Sequence, residues 1–295
     1  MGFAVKTVRP TVGAGLISLF AILSLGAIAT GCVVAAANGA PPGVWARNLV
    51  AWGIGGLGAV ALARRAGSRT LSGFIIAAPL ALAAGLLSAG QQGVHRWIDL
   101  GPLHMNVAEV LMPPAVVALG ALAARPGWPL ISAALTLALL IAQPDASQAT
   151  ALAGALLVIV ALEGRRGVSR WSGIGLVVVA VAMAWLRRDP LAPVADVEGI
   201  MGLAWRLSPL AAVVGWIALA SAASAPMIMS GSERRDVATA SIALAIYGMF
   251  SVLTPLLGAF PVPLVGMGMS PILGAWLGIG LLAALSCSRQ QPALP

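Results

Sequence analysis

The stretch Thr11–Ala37 reads TVGAGLISLFAILSLGAIATGCVVAAA and contains no charged side chain. A helix needs about 20 consecutive apolar residues to cross the hydrocarbon core of a bilayer. Basic residues precede this run, as they do in a signal peptide, but the run is longer than a signal peptide's apolar core. We therefore interpret it as a first membrane-spanning helix that is retained.

The composition of the whole chain indicates that lipid is its solvent. Of 295 residues, 60% are hydrophobic and 9% are charged, whereas a soluble domain carries roughly 25% charged residues. Spans in lipid must satisfy their own backbone hydrogen bonds, which helices do. The short alternating strands of a membrane β-barrel are not evident. The sequence predicts an all-α polytopic membrane protein.

Further apolar runs between charged or Pro/Gly-rich breaks predict about ten spans in a single transmembrane domain over residues 1–295. The candidate spans are 11–35, 46–63, 70–90, 106–124, 129–142, 148–162, 171–186, 207–225, 236–257 and 270–286. The pair 129–142 and 148–162 is short, and fusing it would give one span with a Pro-Asp break inside. Two short spans fit the charge distribution better, because fusion would move the basic residues near 165–170 to the outer side.

The net charge of +8 is explained by topology rather than by nucleic acid as a partner. With a cytoplasmic N-terminus, twelve basic residues lie inside: Lys6, Arg9, Arg64, Arg65, Arg69, Arg125, Arg165, Arg166, Arg170, Arg234, Arg235 and Arg289. Five lie outside: Arg47, Arg96, Arg187, Arg188 and Arg206. This asymmetry predicts that both termini are cytoplasmic.

The remaining chemistry-bearing residues exclude several classes of site. Cys32 and Cys287 fall on opposite predicted sides, so we expect no disulfide, and their spacing does not suit a metal. His95 and His104 are better interpreted as polar loop residues than as ligands. The sequence has no nucleotide-binding, metalloprotease or serine-hydrolase motif.

Acidic residues concentrate on the predicted outer side. They are Asp99, Glu109, Asp145, Asp189, Asp196 and Glu198, against Glu163, Glu233 and Asp236 on the inner side. Carboxylates contribute little to topology. Ordinary loop solvation or an outward-facing polar site explains this distribution equally well.

The second outer loop carries the most informative residues. Arg96 and Asp99 are three residues apart and could pair, and Trp97 suits the membrane interface. Glu109 falls about one turn into an apolar span, where a carboxylate is usually paired or functional. It is either a buried partner of Arg96 or part of a site.

Three other outer segments interrupt the apolar pattern. Residues 143–150 (QPDASQAT) form a polar break that either lines a cavity or is a plain tight turn. Residues 187–198 carry both signs of charge before a Ser208-Pro209 helix start. Residues 261–270 (PVPLVGMGMS) predict a non-helical segment, which protein must shield if it lies at membrane depth.

Taken in order, these segments resemble the SEDS family of cell-wall glycosyltransferases, the group that includes FtsW, RodA and SpoVE. Residues 96–101 (RWIDLG) match the family's RWIdLG, and residues 106–109 (NVAE) fall on its QPSE. Residues 143–149 resemble QPDLGTA, and residues 261–270 resemble PLPFVSYGGS. The resemblance covers most of the chain, and the family also has ten spans with both termini inside.

The chain departs from the family pattern at several places. The long loop before the eighth span is reduced to about a dozen residues. Met112 stands where the family has Lys, Met267 replaces the Tyr of SYGG, and Arg206-Leu207 replaces the acidic pair of AEELG. The sequence therefore resembles a divergent, shortened family member.

The resemblance implies a site that polymerises lipid II at the outer face of the bacterial inner membrane. The family's important Asp falls nearest to Glu198, so Glu198, with Asp196 second, is the expected catalytic carboxylate. Expected substrate-binding residues are Arg96, Trp97, Asp99, Glu109, Asp145, Arg187, Arg188, Arg206 and Ser270. Glu109 would hold Arg96 in place, and a divalent cation could assist the pyrophosphate. A class B penicillin-binding protein is the implied partner, in cell division, elongation or shape.

Two other functions stay open. A catalytically weakened SEDS-like scaffold or regulator of a transpeptidase would explain the short loop and the missing Lys. A lipid flippase or transporter is disfavoured because few ionisable residues mark a crossing pathway.

Overall fold

A computed structural model describes residues 12–101, 103–125, 127–163, 168–187 and 189–287. Its helices are α1 (Val12–Ala37), α2 (Pro42–Arg65), α3 (Ser68–Gly85), α4 (Val107–Ala121), α5 (Trp128–Ala142), α6 (Ala146–Glu163), α7 (Val168–Leu186), α8 (Ile200–Leu207), α9 (Pro209–Ser224), α10 (Arg235–Leu253) and α11 (Met269–Cys287). Two short strands, β1 (Trp97–Leu100) and β2 (Leu103–Asn106), precede α4. Single 3₁₀ turns, Ala225–Met229 and Thr254–Leu256, follow α9 and α10.

The chain is an all-α polytopic membrane protein, as the sequence predicts. Within the described ranges, seven helices are long and apolar enough to cross a bilayer. Three shorter apolar helices, Val107–Ala121, Trp128–Ala142 and Arg170–Leu186, occur where the sequence predicts further spans. The count of ten and the cytoplasmic placement of both termini stay predictions.

Large apolar side chains cover the outside of the helix bundle. Ile22, Leu57 and Leu80 are 72%, 75% and 64% exposed. Water would oppose so much exposed apolar surface, whereas lipid tails accept it. The polar and charged side chains that are buried lie instead between the helices.

Glycines allow α11 to pack closely at the centre of the bundle. A Cβ atom on Gly274 would collide with the backbone oxygen of Glu109 on α4, and one on Gly278 would lie 2.9 Å from the Pro113 side chain. On the α2 side, a Cβ atom on Gly280 would lie 2.5 Å from the Cα of Ala59. Small residues at such contacts let helix backbones approach each other in lipid.

We predict that Gly274→Ala lowers the stability of the protein. The added methyl group meets backbone atoms that cannot rotate away, and such overpacking typically costs about 1–3 kcal/mol. Thermal unfolding in detergent, followed by circular dichroism, measures the effect. Gly53→Ala is the matched control, because a Cβ atom there meets nothing within 4 Å. An equal unfolding temperature for the two variants would contradict the packing described above.

The structure has two separate helices on either side of residues 143–145, where the sequence predicts two short spans; that each of them crosses the membrane stays a prediction. Helix α5 ends at Ala142 and α6 begins at Ala146. The polar side chains of the break, Gln143 and Asp145, are buried.

The second outer loop contains a small β-hairpin that the sequence does not predict. Strands β1 and β2 pair antiparallel, with Trp97 opposite Asn106 and Asp99 opposite His104. The side chain of Asn106 then caps α4 by accepting hydrogen bonds from the backbone N–H groups of Ala108 (3.0 Å) and Glu109 (3.3 Å). The hairpin thereby fixes where α4, and with it Glu109, begins.

The 261–268 segment is non-helical and shielded by protein, which confirms the prediction from its prolines and glycines. Val262, Leu264 and Val265 are buried. The side-chain amide of Asn48 on α2 donates to the backbone oxygen of Gly266 at 2.8 Å. This segment therefore closes the same end of the bundle as the hairpin.

Candidate functional site

Arg96 is the centre of a buried charge cluster at this end of the bundle. Its Nη2 atom lies 2.8 Å from Asp189 Oδ2, and its Nε atom lies 3.8 Å from Asp145 Oδ2. Arg96 also donates to the backbone oxygens of Gln143, at 3.1 Å, and Pro144. One guanidinium thus joins the β-hairpin to the α5–α6 break and to the chain after α7.

Asp145 has a second structural role in the cluster. Its Oδ1 atom accepts hydrogen bonds from Ser147 Oγ at 2.9 Å and from the backbone N–H of Gln148 at 3.1 Å. These contacts satisfy free donors at the start of α6 and stabilise a carboxylate near a helix N-terminus. The QPD segment is therefore a capped break that is bound to Arg96, and not only a tight turn.

The segment 194–199 packs against the shielded 261–268 segment. The backbone N–H of Met267 donates to the oxygen of Asp196 at 2.8 Å, and that of Val262 donates to the oxygen of Val197 at 3.3 Å. Gly266 lies where a Cβ atom would be 2.8 Å from the Val197 oxygen. The acidic segment before α8 is thus held by main-chain contacts rather than left free in solvent.

Glu198 is the partly buried carboxylate of this segment. Its Oε2 atom accepts a hydrogen bond of 2.7 Å from the backbone N–H of Val194. Burial raises the pKa of the Glu198 carboxyl above its usual value; the Val194 hydrogen bond and Arg96 oppose the rise, and Asp189 adds to it. A carboxyl with a raised pKa is better suited to accept a proton than an ordinary surface glutamate.

Two predicted pairings of Arg96 are wrong. Asp99 does not pair with Arg96, because it faces outward on the hairpin and its Oδ1 atom lies 2.5 Å from His104 Nδ1. Glu109 does not hold Arg96 by direct contact, because Asp145 and Asp189 are the carboxylates that lie within ion-pair distance of it. Glu109 interacts with Arg96, Asp145 and Glu198 only at longer electrostatic range.

Glu109 instead lines a cavity between the helices. The cavity lies between α1, α4, α6, α9, α10 and α11. Its polar lining residues are Glu109, Ser147, Gln148, Tyr247, Ser251 and Thr254. In the described part of the chain, the Glu109 side chain has no hydrogen-bond partner although the residue is only 9% exposed. The carboxylate is therefore available to a ligand in the cavity.

The cavity is polar at one end and apolar further in. Glu109 and Ser147 lie in the first turns of α4 and α6, at the end of the bundle that holds Arg96. Phe20, Leu244 and Ile279 line the part of the cavity nearer the middle of their helices. This arrangement suits an amphiphile whose head lies near the charge cluster.

Sequence reasoning missed Tyr247 and Gln148. Tyr247 is the one tyrosine in the chain, and its buried hydroxyl donates to Gln148 Oε1 across the cavity wall. The sequence does carry a signal for Tyr247, a single Tyr in an apolar span, because a buried phenol hydroxyl needs a hydrogen-bond partner. Gln148 belongs to the polar break, but its distant partner could not be inferred.

The other predicted substrate-binding residues occupy different surroundings. Ser270 Oγ accepts a hydrogen bond of 3.0 Å from the backbone N–H of Asn106, so it links α11 to the hairpin. Trp97 and Asp196 are partly buried, and Arg187 and Arg206 are exposed. Arg188 lies outside the described residues.

No group of three or more His, Cys, Asp or Glu side chains in the described ranges is arranged to hold a metal ion. The acidic residues of the cluster are spread around Arg96 instead of facing one point. The divalent cation stays a prediction, in which phosphate oxygens of a substrate would supply the remaining ligands.

Comparison with solved structures identifies the fold. The RodA rod-shape-determining protein of Thermus thermophilus, in the form of a single-residue mutant, is 23% identical, with a TM-score of 0.71 over 94% of this chain and 98% of that one. The same RodA without the substitution is 22% identical, with a TM-score of 0.64 over 94% of this chain and 97% of that one. A chain of a peptidoglycan synthase complex that coordinates polymerization and crosslinking is 22% identical, with a TM-score of 0.67 over 94% and 98%.

No family model matches the sequence, and no curated protein matches it. At these identities the structural likeness shows the fold alone. The chain has a SEDS-like fold, which confirms the resemblance drawn from the RWIDLG, QPD and PVP segments.

Proposed function

We propose that the protein is a SEDS-type peptidoglycan glycosyltransferase that polymerises lipid II at the outer face of the bacterial inner membrane. The observation that carries the proposal is Glu198, a partly buried carboxylate with a raised pKa, held beside the Arg96 cluster in a SEDS-like fold. The amphiphilic cavity next to the cluster supports a lipid-linked substrate.

In the proposed reaction, the hydroxyl of an acceptor sugar attacks the anomeric carbon of the donor. A new carbon–oxygen bond forms there while the bond to the lipid pyrophosphate breaks. Glu198 accepts the proton of the attacking hydroxyl, and the pyrophosphate leaves with the bonding electrons. Asp196 is the second candidate for this base.

Positive charge for the leaving pyrophosphate would come from Arg187 and Arg206, since arginine binds phosphate oxygens well. Both side chains are exposed, and Arg187 lies two residues before Asp189, which belongs to the cluster. Arg96 is less suited to this role, because Asp145 and Asp189 already neutralise it. We assign Arg96 to positioning: it would keep the hairpin, the break and the Asp189 chain segment together.

The direct test is polymerisation of purified lipid II by the purified protein, alone and with a cognate transpeptidase. Glycan chains resolved by gel electrophoresis are the expected product. Absence of polymer in both conditions, with a RodA preparation active in the same assay, would refute the glycosyltransferase function.

The pH dependence of polymerisation should report the raised pKa of Glu198. The carboxylate is the active form of a base, so the rate falls as pH drops through the pKa of Glu198. We expect the midpoint of this loss above the value of about 4.3 that is typical of a free glutamate. A pH–rate profile on detergent-solubilised protein measures it, and a rate that stays constant from pH 7 to about pH 4 would contradict a titrating Glu198.

A catalytically weakened scaffold is the second candidate, and one observation favours it. No Lys, Arg or His lines the cavity in the described part of the chain, and Arg96 is neutralised. A protein of this kind would hold a transpeptidase without elongating glycan. It would co-purify with the transpeptidase and leave lipid II unchanged in the assay above.

A class B penicillin-binding protein is the proposed partner under either function. The similar chain in a peptidoglycan synthase complex that coordinates polymerization and crosslinking supports this choice. The proposed roles are in the maintenance of cell shape or in division.

A further inference from the structure

The connection between α2 and α3 carries three arginines. Arg64 and Arg65 end α2, and Arg69 lies in the first turn of α3. All three side chains are exposed. The 18-residue helix α3 separates them from the Arg96 cluster, a distance of about 27 Å along the helix axis. They therefore lie at the opposite end of the bundle, which the charge asymmetry predicts to be cytoplasmic.

This connection is short and internally hydrogen-bonded. The backbone N–H of Ala66 donates to Leu62 O at 2.8 Å, so the helical hydrogen bonding of α2 continues to its last residue. Thr70 Oγ1 accepts a hydrogen bond of 3.2 Å from the N–H of Gly67, and the N–H of Thr70 donates to Gly67 O at 3.0 Å. The three guanidinium groups thus extend from a fixed backbone, which lowers the entropic cost of binding one ligand together.

A fourth arginine lies at the same end of the bundle. Helix α4 packs antiparallel to α3, so the end of α4 lies beside the start of α3. The turn after α4 is closed by a hydrogen bond of 2.9 Å from the N–H of Arg125 to Leu122 O. The Arg125 side chain is exposed. We call Arg64, Arg65, Arg69 and Arg125 the basic patch.

No Asp or Glu carboxylate in the described part of the chain pairs with the basic patch. The chain contains nine Asp and Glu residues, and the structure describes every one of them. On the predicted inner side, Glu163 at the end of α6 binds Arg235 at 2.9 Å. Asp236 in the first turn of α10 binds Arg234 at 2.6 Å. Among the described residues, no ion pair involves an arginine of the basic patch. Within the described ranges, its positive charge is therefore not paired with a carboxylate.

We propose that the basic patch binds the phosphate headgroup of an anionic phospholipid in the leaflet opposite to the candidate active site. Clustered arginines directly next to apolar spans attract anionic lipid headgroups. Arginine forms paired hydrogen bonds to phosphate oxygens. The apolar surfaces of α2 and α3, with Leu57 and Leu80 exposed, accept the acyl chains. The proposal does not depend on the glycosyltransferase function.

Lipid binding to the full-length chain in neutral detergent micelles tests the proposal. Native mass spectrometry counts bound phosphatidylglycerol and, separately, phosphatidylcholine with the same acyl chains. The test variant is R64Q/R65Q/R69Q. A single substitution in the patch, R64Q, is compared with the control variant R47Q, which removes one charge from an exposed position outside both the basic patch and the proposed substrate-binding site.

We expect the wild-type chain to prefer phosphatidylglycerol over phosphatidylcholine by at least about tenfold in affinity. The test variant should lose roughly a hundredfold in affinity for phosphatidylglycerol, since each basic residue near an anionic surface contributes about fivefold. R64Q should lose about fivefold, whereas the control R47Q should stay within about twofold of the wild type. Adding Arg125→Gln to the test variant should weaken binding further.

Three results would overturn the proposal. The first is a wild-type chain that binds phosphatidylglycerol and phosphatidylcholine equally well. This result can be obtained even if the variants do not fold. The second is an equal loss in R64Q and R47Q, which would mean that net charge rather than the basic patch attracts the lipid. The third is displacement of the lipid by millimolar inorganic phosphate, which would mean that the patch is a site for free phosphate.

Discussion

Replacing Glu198 by Gln should abolish polymer formation from lipid II without lowering the amount of folded protein. The amide keeps the shape of the side chain and can still accept the hydrogen bond from Val194, but it cannot take up a proton. Loss of general-base catalysis typically costs about 10²–10⁴-fold in rate. A gel assay with fluorescent lipid II and purified protein measures the loss.

Asp196→Asn is the control for this substitution. Asp196 lies two residues away, and its backbone oxygen, not its side chain, makes the contact to Met267. We expect this variant to keep most of the activity. Full activity in Glu198→Gln together with loss of activity in Asp196→Asn would mean that Asp196 is the general base. Full activity in both variants would mean that no carboxylate of this segment acts as the base.

Replacing Arg96 by Gln should be the most destabilising single change in the cluster. Arg96 is 5% exposed and Asp145 2% exposed, so the substitution leaves a buried carboxylate without its cation. Removing one partner of a buried ion pair typically costs about 3–5 kcal/mol. The expected result is a clearly lower unfolding temperature in detergent, with loss of activity as a consequence.

Arg96→Lys should restore little of this stability. A lysine has one ammonium group and cannot reach Asp189 and the backbone oxygens of the α5–α6 break at once. Asp99→Asn is the control, because Asp99 is exposed and, among the described residues, its carboxylate pairs with His104 alone. An unfolding temperature for Arg96→Gln equal to that of Asp99→Asn would contradict the structural role of Arg96.

The helices were predictable because hydropathy and charge act locally. Each predicted range falls on a helix of the structure, including the short pair on either side of residues 143–145. The third span is the least well bounded: the helix ends at Gly85, and the predicted range runs to residue 90. Apolar residues continue beyond Gly85 in the sequence, and hydropathy alone does not mark a helix end.

The members of the candidate site were predictable, but their partners were not. Arg96, Asp145 and Glu198 stand out as polar residues next to apolar spans. The pairing of Arg96 with Asp189 depends on how the chain after α7 returns to the α5–α6 break, which sequence spacing does not encode. The proximity of Asp99 to Arg96 in sequence suggested a pair, but the hairpin turns Asp99 outward toward His104.

The cavity was not predictable, because its lining comes from helices that are distant in sequence. Tyr247 on α10 and Gln148 on α6 meet only after these two helices pack together. Their residue types mark them as polar exceptions in apolar spans. Which exceptions share a cavity is decided by tertiary packing.

Every proposal about the site requires that the hairpin and the segment after α7 face the outside of the cell together. Labelling of single cysteines in intact cells with a membrane-impermeant maleimide measures this, after Cys287 is replaced by Ser. Cysteines at the exposed positions Asp99 and Ala192 should both react in intact cells. Cysteines at the exposed positions Gly67 and Gly231 should react only after the membrane is permeabilised. Two results would contradict a single outward-facing site around Arg96 and Glu198. Either one of the cysteines at 99 and 192 reacts in intact cells and the other only after permeabilisation, or both react only after permeabilisation.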